Sequence, residues 1–510
     1  MDNLQQDTFF TGEYIIIGNI ITGDGSTAEY IWIKDKIIKY IGKGIPINAP
    51  NDVPITLISP EWHIIPGLYD AHVHLKQTAI RTLITDLKDI KSTRDIIEIM
   101  TNSPLIGEVK IGMGFDETKF LTKGIPTKCD LDRLGDTPVF ITRIDSHSCV
   151  VNTAFLNYAE KLGYEIAINS NGILKGEQYS LAYNIAMSGI DNSLISGSIY
   201  DICKEVIKKG IVAIHTMEGG LINPINDAKL VREASKTSPL RIRIYPQTFD
   251  VDKVFKEGFN AIGGCILVDG SIGSRTAAIS GSYKDCPDES GSLYLDRTKL
   301  NPFVESASKA GLQVALHTIG DRAIEEALWA YKSVDENAGK LRFRLEHFVM
   351  ATDEQIECAK ELGICVCMQP TFDRYWGQNG GMYEVRLGKV KTNRIKSVLK
   401  SGIHLAGGSD SDITPMDSIL GISSAMTHNN YEEHLTFDEA LTIFTSGSAY
   451  LGFEEKERGI LKKDYYADFI ILDSDPRLKI ASSPEDIKVL ATFINGKPEY
   501  ISSEFYSCGI

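Results

Sequence analysis

The first sixty residues alternate short β-branched and aromatic runs with turn signals. Tyr14-Ile15-Ile16-Ile17, Tyr30-Ile31-Trp32-Ile33 and Lys36-Ile37-Ile38-Lys39-Tyr40-Ile41 read as strands, with turns at Gly23-Asp24-Gly25 and Lys34-Asp35-Lys36. The other end of the chain has the same character. Ala467-Asp468-Phe469-Ile470-Ile471-Leu472 and Val489-Leu490-Ala491-Thr492-Phe493-Ile494 are strand-like, and Asn495-Gly496 is a hairpin signal. Two strand-rich ends around a different middle predict one composite β-sandwich domain, 1–66 with 458–510.

The middle, 67–457, switches to a strand–helix alternation. Short buried strands are expected at Ile211-Val212-Ala213-Ile214, Arg241-Ile242-Arg243-Ile244, Ile266-Leu267-Val268, Val314-Ala315-Leu316, Phe343-Arg344-Leu345, Cys365-Val366-Cys367-Met368 and His404-Leu405-Ala406. Amphipathic helix patterns such as 321–328 and 352–359 lie between them, at intervals of roughly 20 to 45 residues, the rhythm of a parallel α/β fold. A further strand before Asp70 brings the count to eight, which favours a closed (β/α)8 TIM-type barrel over an open sheet. The stretch at about 105–200 fits that count poorly and carries strands of its own, at Val109-Lys110-Ile111 and Pro138-Val139-Phe140-Ile141. It reads as an insertion after the first barrel helix.

Composition narrows the partners. A hydrophobic share of 43% and a charged share of 24% are those of a globular protein. No apolar run reaches the length of a membrane span. The net charge of −15 argues against nucleic acid and anionic membrane surfaces, which attract a basic face. Nine scattered cysteines without a CxxC pair fit a reducing compartment. The first residues lack the basic-then-apolar layout of a secretory leader, so the cytoplasm is the expected location.

The sharpest chemical signal is Pro66-Gly67-Leu68-Tyr69-Asp70-Ala71-His72-Val73-His74. Residues two apart on a strand point to one side, so His72 and His74 can share one divalent metal, with Asp70 behind them. His317 closes the strand before Thr318-Ile319-Gly320-Asp321, His347 closes Arg342-Phe343-Arg344-Leu345-Glu346, and Asp410 closes the run through Gly408-Ser409. Singly, His317 or His347 reads as a satisfied core histidine. Together, at strand ends that converge on one barrel mouth, His72, His74, His317, His347 and Asp410 form a metal-hydrolase set.

With these residues in view, the whole chain resembles the amidohydrolase superfamily: a composite β-sandwich, a barrel opened by PGxxDxHxH and a late GSD. Several segments resemble its YtcJ-like branch, which includes N-substituted formamide deformylases: 112–117, Asp145-Ser146-His147, Val268-Asp269-Gly270-Ser271-Ile272-Gly273-Ser274-Arg275-Thr276-Ala277, 317–323 and Gly408-Ser409-Asp410. The resemblance implies zinc, or manganese or iron, bound as one or two ions, and a small-molecule substrate. It also implies a homodimer. One position departs from the pattern. Where binuclear members carry a carboxylated lysine on strand four, this chain has Cys265, either a thiolate bridging two ions or a small core residue beside one.

The expected reaction is hydrolysis of a C–N bond (amide, N-acyl, N-formyl or cyclic amide) by metal-activated water. Asp410 is the expected general base, with His347 or His317 helping to stabilise the oxyanion. Arg275 is a candidate substrate anchor, with a structural ion pair as the alternative. Glu177 could reach over the mouth or lie in a solvated loop. His147 and His215 are pocket liners by resemblance only, and Tyr375 and Trp376 could form an aromatic wall or merely a buried loop anchor. Asp321 is a candidate for orienting a ligand histidine. Two alternatives remain: hydrolytic deamination of a ring, disfavoured by the lack of a glutamate just after His317, and a catalytically silent interaction protein, disfavoured by the intact ligand set.

Overall fold

The computed structural model describes residues 10–46, 49–121, 124–144, 148–167, 171–219 and 224–507. They fall into two compact units: Met1–His74, Ile202–Gly219 and Ser235–Ile510 form one, and Leu75–Asp201 with Gly220–Ala234 form the other. His147 lies outside the described residues.

In the first unit both chain ends enter a single eight-stranded sheet. Its path runs Lys497–Ile501, Val489–Ile494, Phe469–Leu472, His63–Pro66, Glu13–Ile21, Thr27–Lys34 and Ile37–Gly42, with Ile55–Leu57 also paired to Glu13–Ile21. The seam is the antiparallel pairing of His63–Pro66 with Phe469–Leu472. Alternate residues feed one core, among them Ile31, Ile33, Ile64, Phe469, Ile471 and Phe493. The rings of Phe469 and Phe493 stack at 4.3 Å, and the Tyr14 hydroxyl donates to Gly496 O at 2.7 Å, tying the first strand to the last hairpin.

The same unit contains eight parallel strands in two hydrogen-bonded groups. Leu68–Val73, Ile211–Glu218 and Arg241–Pro246 form one; Ala261–Leu267, Gln313–Thr318, Arg344–His347, Cys365–Met368 and His404–Gly407 form the other. Apart from Arg241–Pro246, whose first four residues are half-buried, they are almost wholly buried, the pattern of strands covered on both faces. The groups approach at both edges. Asp410 N donates to His72 O at 2.8 Å and His74 N to Ser411 O at 2.6 Å, joining the first strand to the segment after the eighth. On the other side, a Cβ on Gly264 would stand 2.1 Å from Tyr245 O, so only glycine lets the third and fourth strands come this close.

The second unit carries a five-stranded sheet in the order Ile173–Lys175, Ser148–Val151, Val139–Arg143, Lys110–Phe115, Thr85–Asp86. Its core gathers Leu87, Ile96, Met100, Phe115 and Ile141. The strands expected near 109 and 138 are therefore present, and the unit takes in the whole 105–200 stretch. Among the described residues no helix is long and apolar enough to cross a membrane.

Asp468 cross-links the first unit. Its buried carboxylate accepts from Arg241 Nη1 at 2.9 Å, from Arg458 Nη1 and from Asn495 N at 2.7 Å, while its carbonyl accepts from Gly67 N at 3.0 Å. Removing one partner of such a cluster strands the others. Asp468→Ala is expected to cost about 3 kcal/mol, the lower end of the range because Arg241 keeps some solvent. The denaturation midpoint should fall at unchanged slope; an unmoved midpoint would refute the assignment.

Candidate metal centre

Strand periodicity places Asp70 and His72 on one side of the first parallel strand, and His74 follows its last residue, Val73. Cys265 needs a local distortion. The fourth strand loses register with its neighbour between Ile262 and Ile266, and Gly263, Gly264 and Cys265 all have positive φ (98°, 41° and 69°). That bulge turns the thiol inward, the usual use of such an irregularity. His347 and Asp410 also hold left-handed backbone, at φ 71° and 56°. For residues other than glycine this is strain, and strain of this kind clusters where a side chain must be aimed.

The resulting geometry is tight. His72 Nε2 and His74 Nε2 each lie 3.2 Å from Asp410 Oδ1. Cys265 Sγ lies 3.6 Å from His317 Nδ1 and 3.5 Å from His347 Nε2. Among the described residues, ligand atoms within 4.8 Å of one another form four overlapping sets: His72, His74 and Cys265; Cys265, His317 and His347; His72, His347 and Asp410; and His72, Glu346 and Cys367.

Each imidazole is held by its other nitrogen. His72 Nδ1 donates to Glu346 Oε2 at 2.5 Å, and His74 Nδ1 to Met217 O at 3.1 Å. His317 Nε2 donates to Gly270 O at 3.1 Å, and His347 Nδ1 to Gln369 Oε1 at 2.7 Å. A carboxylate or carbonyl oxygen only accepts, so the proton of each neutral ring sits on the outer nitrogen and the lone pair faces the centre. His72 Nε2, fully buried, has no hydrogen-bond partner. Four aimed lone pairs, a thiol and a carboxylate make a donor set that fits a divalent ion.

The charges are mutually dependent. Burial drives the Cys265 thiol up, but His72, His317 and His347 outweigh it and hold the group well below the usual thiol range. Burial likewise opposes ionisation of Asp410, and His72 and His74 hold it well below the usual carboxylate range. Burial works against protonated His74 and His317, yet Asp410 and Cys265 lift the first to about 10, and Cys265 and Asp269 lift the second to about 8. Two anions among four imidazoles create a strong local demand for positive charge. Asp70 stands behind them, pushed up to about 6 by burial, its Oδ1 accepting from Ser409 N at 2.9 Å.

Other expected residues lie elsewhere. Arg275 forms a bidentate pair with Asp285, at 3.1 and 2.8 Å, the structural ion pair that was the alternative to a substrate anchor. His215 is buried within the second parallel strand, with Nδ1 against Arg344 at 3.2 Å and rings of Tyr69 and Tyr245 beside it. Asp321 accepts from Ser280 N and Oγ rather than from a histidine. Asp269 takes the position beside His317, 3.6 Å from Nε2, while accepting from Ala278, Ile319 and Gly320 N–H groups. Glu177 is exposed near the start of a helix of the second unit. Trp376 packs edge-on against Phe372, whose ring lies parallel to that of His347, while Tyr375 is exposed beside Trp376.

Three residues at the centre escaped the sequence reading: Arg344, Glu346 and Gln369. The first two had a signal. Opposite charges at alternate positions of a short buried strand share one face, and that strand ends in a ligand candidate.

A family model described as the amidohydrolase family matches residues 63–500. YtcJ of Bacillus subtilis (strain 168), whose name places it among the amidohydrolases, is 29% identical over 94% of this chain and 97% of its own. The N-substituted formamide deformylase of Arthrobacter pascens is 22% identical over 95% and 98%. A solved structure described as an uncharacterized metal-dependent hydrolase from Pyrococcus furiosus superposes with a TM-score of 0.75 at 26% identity, covering 91% of this chain and all (100%) of that one. The chain belongs to the amidohydrolase family, on the branch that its YtcJ and formamide deformylase relatives mark.

Proposed function

We propose that this protein is a metal-dependent hydrolase that cleaves a C–N bond, amide, N-acyl, N-formyl or cyclic amide, in a small molecule. The observation that carries the reading is the anchoring of four imidazoles by their outer nitrogens, so that their lone pairs meet two anionic side chains. His72, His74, His317, His347 and Asp410 would hold the ion, with Cys265 common to two of the ligand sets and therefore suited to bridge two ions. Nitrogen, sulfur and oxygen donors together suit zinc best. The eight parallel strands are read as one closed (β/α)8 barrel and the sheet from both chain ends as the composite sandwich. We assign the barrel to 67–457 and the sandwich to 1–66 with 458–510.

A divalent ion, when bound, acidifies water toward neutral pH and polarises a carbonyl. The remaining work falls to side chains. Asp410 has one oxygen at the edge of the centre, 3.2 Å from two imidazole nitrogens. Its carboxylate takes a proton from the attacking water and returns it to the leaving nitrogen. His317 and His347, with their outer nitrogens bonded to Gly270 O and Gln369 Oε1, turn their other nitrogens to the centre, where they would serve as ligands and help to stabilise the oxyanion. Phe372, Trp376, Tyr383 and Ile272, clustered next to His347, shape an apolar wall for the non-reacting part of the substrate. A silent interaction protein would have no use for this donor set. The cytoplasm and a homodimer complete the reading.

Asp410→Asn is expected to keep the fold and most of the metal while turnover falls by about two to four orders of magnitude. A near-normal rate would remove Asp410 as the base. Stripping the protein with a chelator should abolish activity and stoichiometric zinc should restore it; full activity in metal-free protein would overturn the mechanism. The substrate class is tested by a screen of N-formyl and N-acyl amines, cyclic amides and aminated heterocycles, with amine and ammonia followed separately. Release of an amine or ring opening fits the proposal, and ammonia from a ring contradicts it.

A further inference from the structure

Arg344 and Glu346 are both fully buried, two residues apart on the same inner face of the sixth parallel strand. The guanidinium spends all its donors. Nε bonds Glu346 Oε1; Nη2 bonds Glu346 Oε2 at 2.8 Å and Ala71 O at 2.7 Å; Nη1 faces His215 Nδ1 at 3.2 Å and Tyr245 Oη at 3.1 Å. A buried ion pair contributes little net stability, since desolvation offsets the attraction. Its effect falls on what it holds, and what Glu346 holds besides Arg344 is His72 Nδ1, at 2.5 Å. Arg344 meanwhile grips the carbonyl of Ala71, the residue before that histidine, so ring and backbone are fixed by one unit.

The four ligand imidazoles are not equivalent in this respect. His74 and His317 lean on backbone carbonyls and His347 on an amide oxygen, all neutral. His72 alone among them has a carboxylate at hydrogen-bond distance from its outer nitrogen, Glu346 at 2.5 Å, whereas Asp269 stands 3.6 Å from His317 Nε2, beyond that distance. An anionic acceptor pulls the outer proton and strengthens the inner nitrogen as a donor more than a neutral one does.

We propose that Glu346, clamped by Arg344, is the positioning residue of His72 and makes the His72–His74 side of the centre the tighter of two ion positions. This rests on the metal-hydrolase reading above. The His72–His74–Cys265 set then fills first, and the Cys265–His317–His347 set second.

Two measurements test it without recourse to turnover. Metal-free wild-type protein loaded with one equivalent of Zn(II) and crystallised should show anomalous density beside His72 and His74; density beside His317 and His347 instead would overturn the inference. In chelator competition with Zn(II), E346Q should lose about 10- to 100-fold in affinity for the first equivalent and keep the second within about threefold. E346D, which restores the charge, should recover part of the loss. Because E346Q leaves Arg344 uncompensated, R344M/E346Q removes both charges and keeps a neutral acceptor; it should show the same selective weakening. Equal weakening of both equivalents, or none, contradicts the positioning role. Wild-type protein that binds no Zn(II) at either place would sink the hydrolase reading itself, a result distinct from these.

Discussion

The structure depends on one constraint: an imidazole has two nitrogens, and fixing the proton on one aims the lone pair of the other. At His72, His74, His317 and His347 the outer nitrogen meets an oxygen that can only accept, so the inner nitrogens all face one centre. Those acceptors come from four places in the first unit: Glu346, Met217, Gly270 and Gln369. Each lies at or beside the C-terminal end of a parallel strand. Preorganisation of the centre is therefore a property of the sheet ends as a group rather than of any one motif.

Strain is placed with the same economy. Cys265, His347 and Asp410 occupy left-handed backbone although none is glycine. His347 follows Glu346 directly, so strict alternation would separate them across the strand; the turn in the backbone brings both to the interior, one as donor and one as support. The glycines next to Cys265 act differently, by allowing the third, fourth and fifth strands to approach where a Cβ would collide with Tyr245 O and Ala315 O.

Much of the architecture was legible in the chain. Runs such as Val314-Ala315-Leu316 and Cys365-Val366-Cys367-Met368 are too short and too apolar to be anything but buried strands, and their spacing implied helices between them. His72 and His74 were visible because period-two spacing has a direct chemical meaning. The support of those ligands was less legible. Glu346 and Gln369 act through hydrogen bonds to residues 274 and 22 positions away, and no local pattern encodes such a pairing. The partners of Arg275 and His215 were likewise illegible: Asp285 pairs with the first and Arg344 meets Nδ1 of the second, and neither contact follows from a local pattern.

The most direct test of convergence is X-ray absorption at the zinc edge of the reconstituted protein. Imidazole scattering together with one sulfur at about 2.3 Å would fit His72, His74, His317 and His347 gathered around Cys265. A shell of oxygen alone, without imidazole or sulfur, would contradict the account.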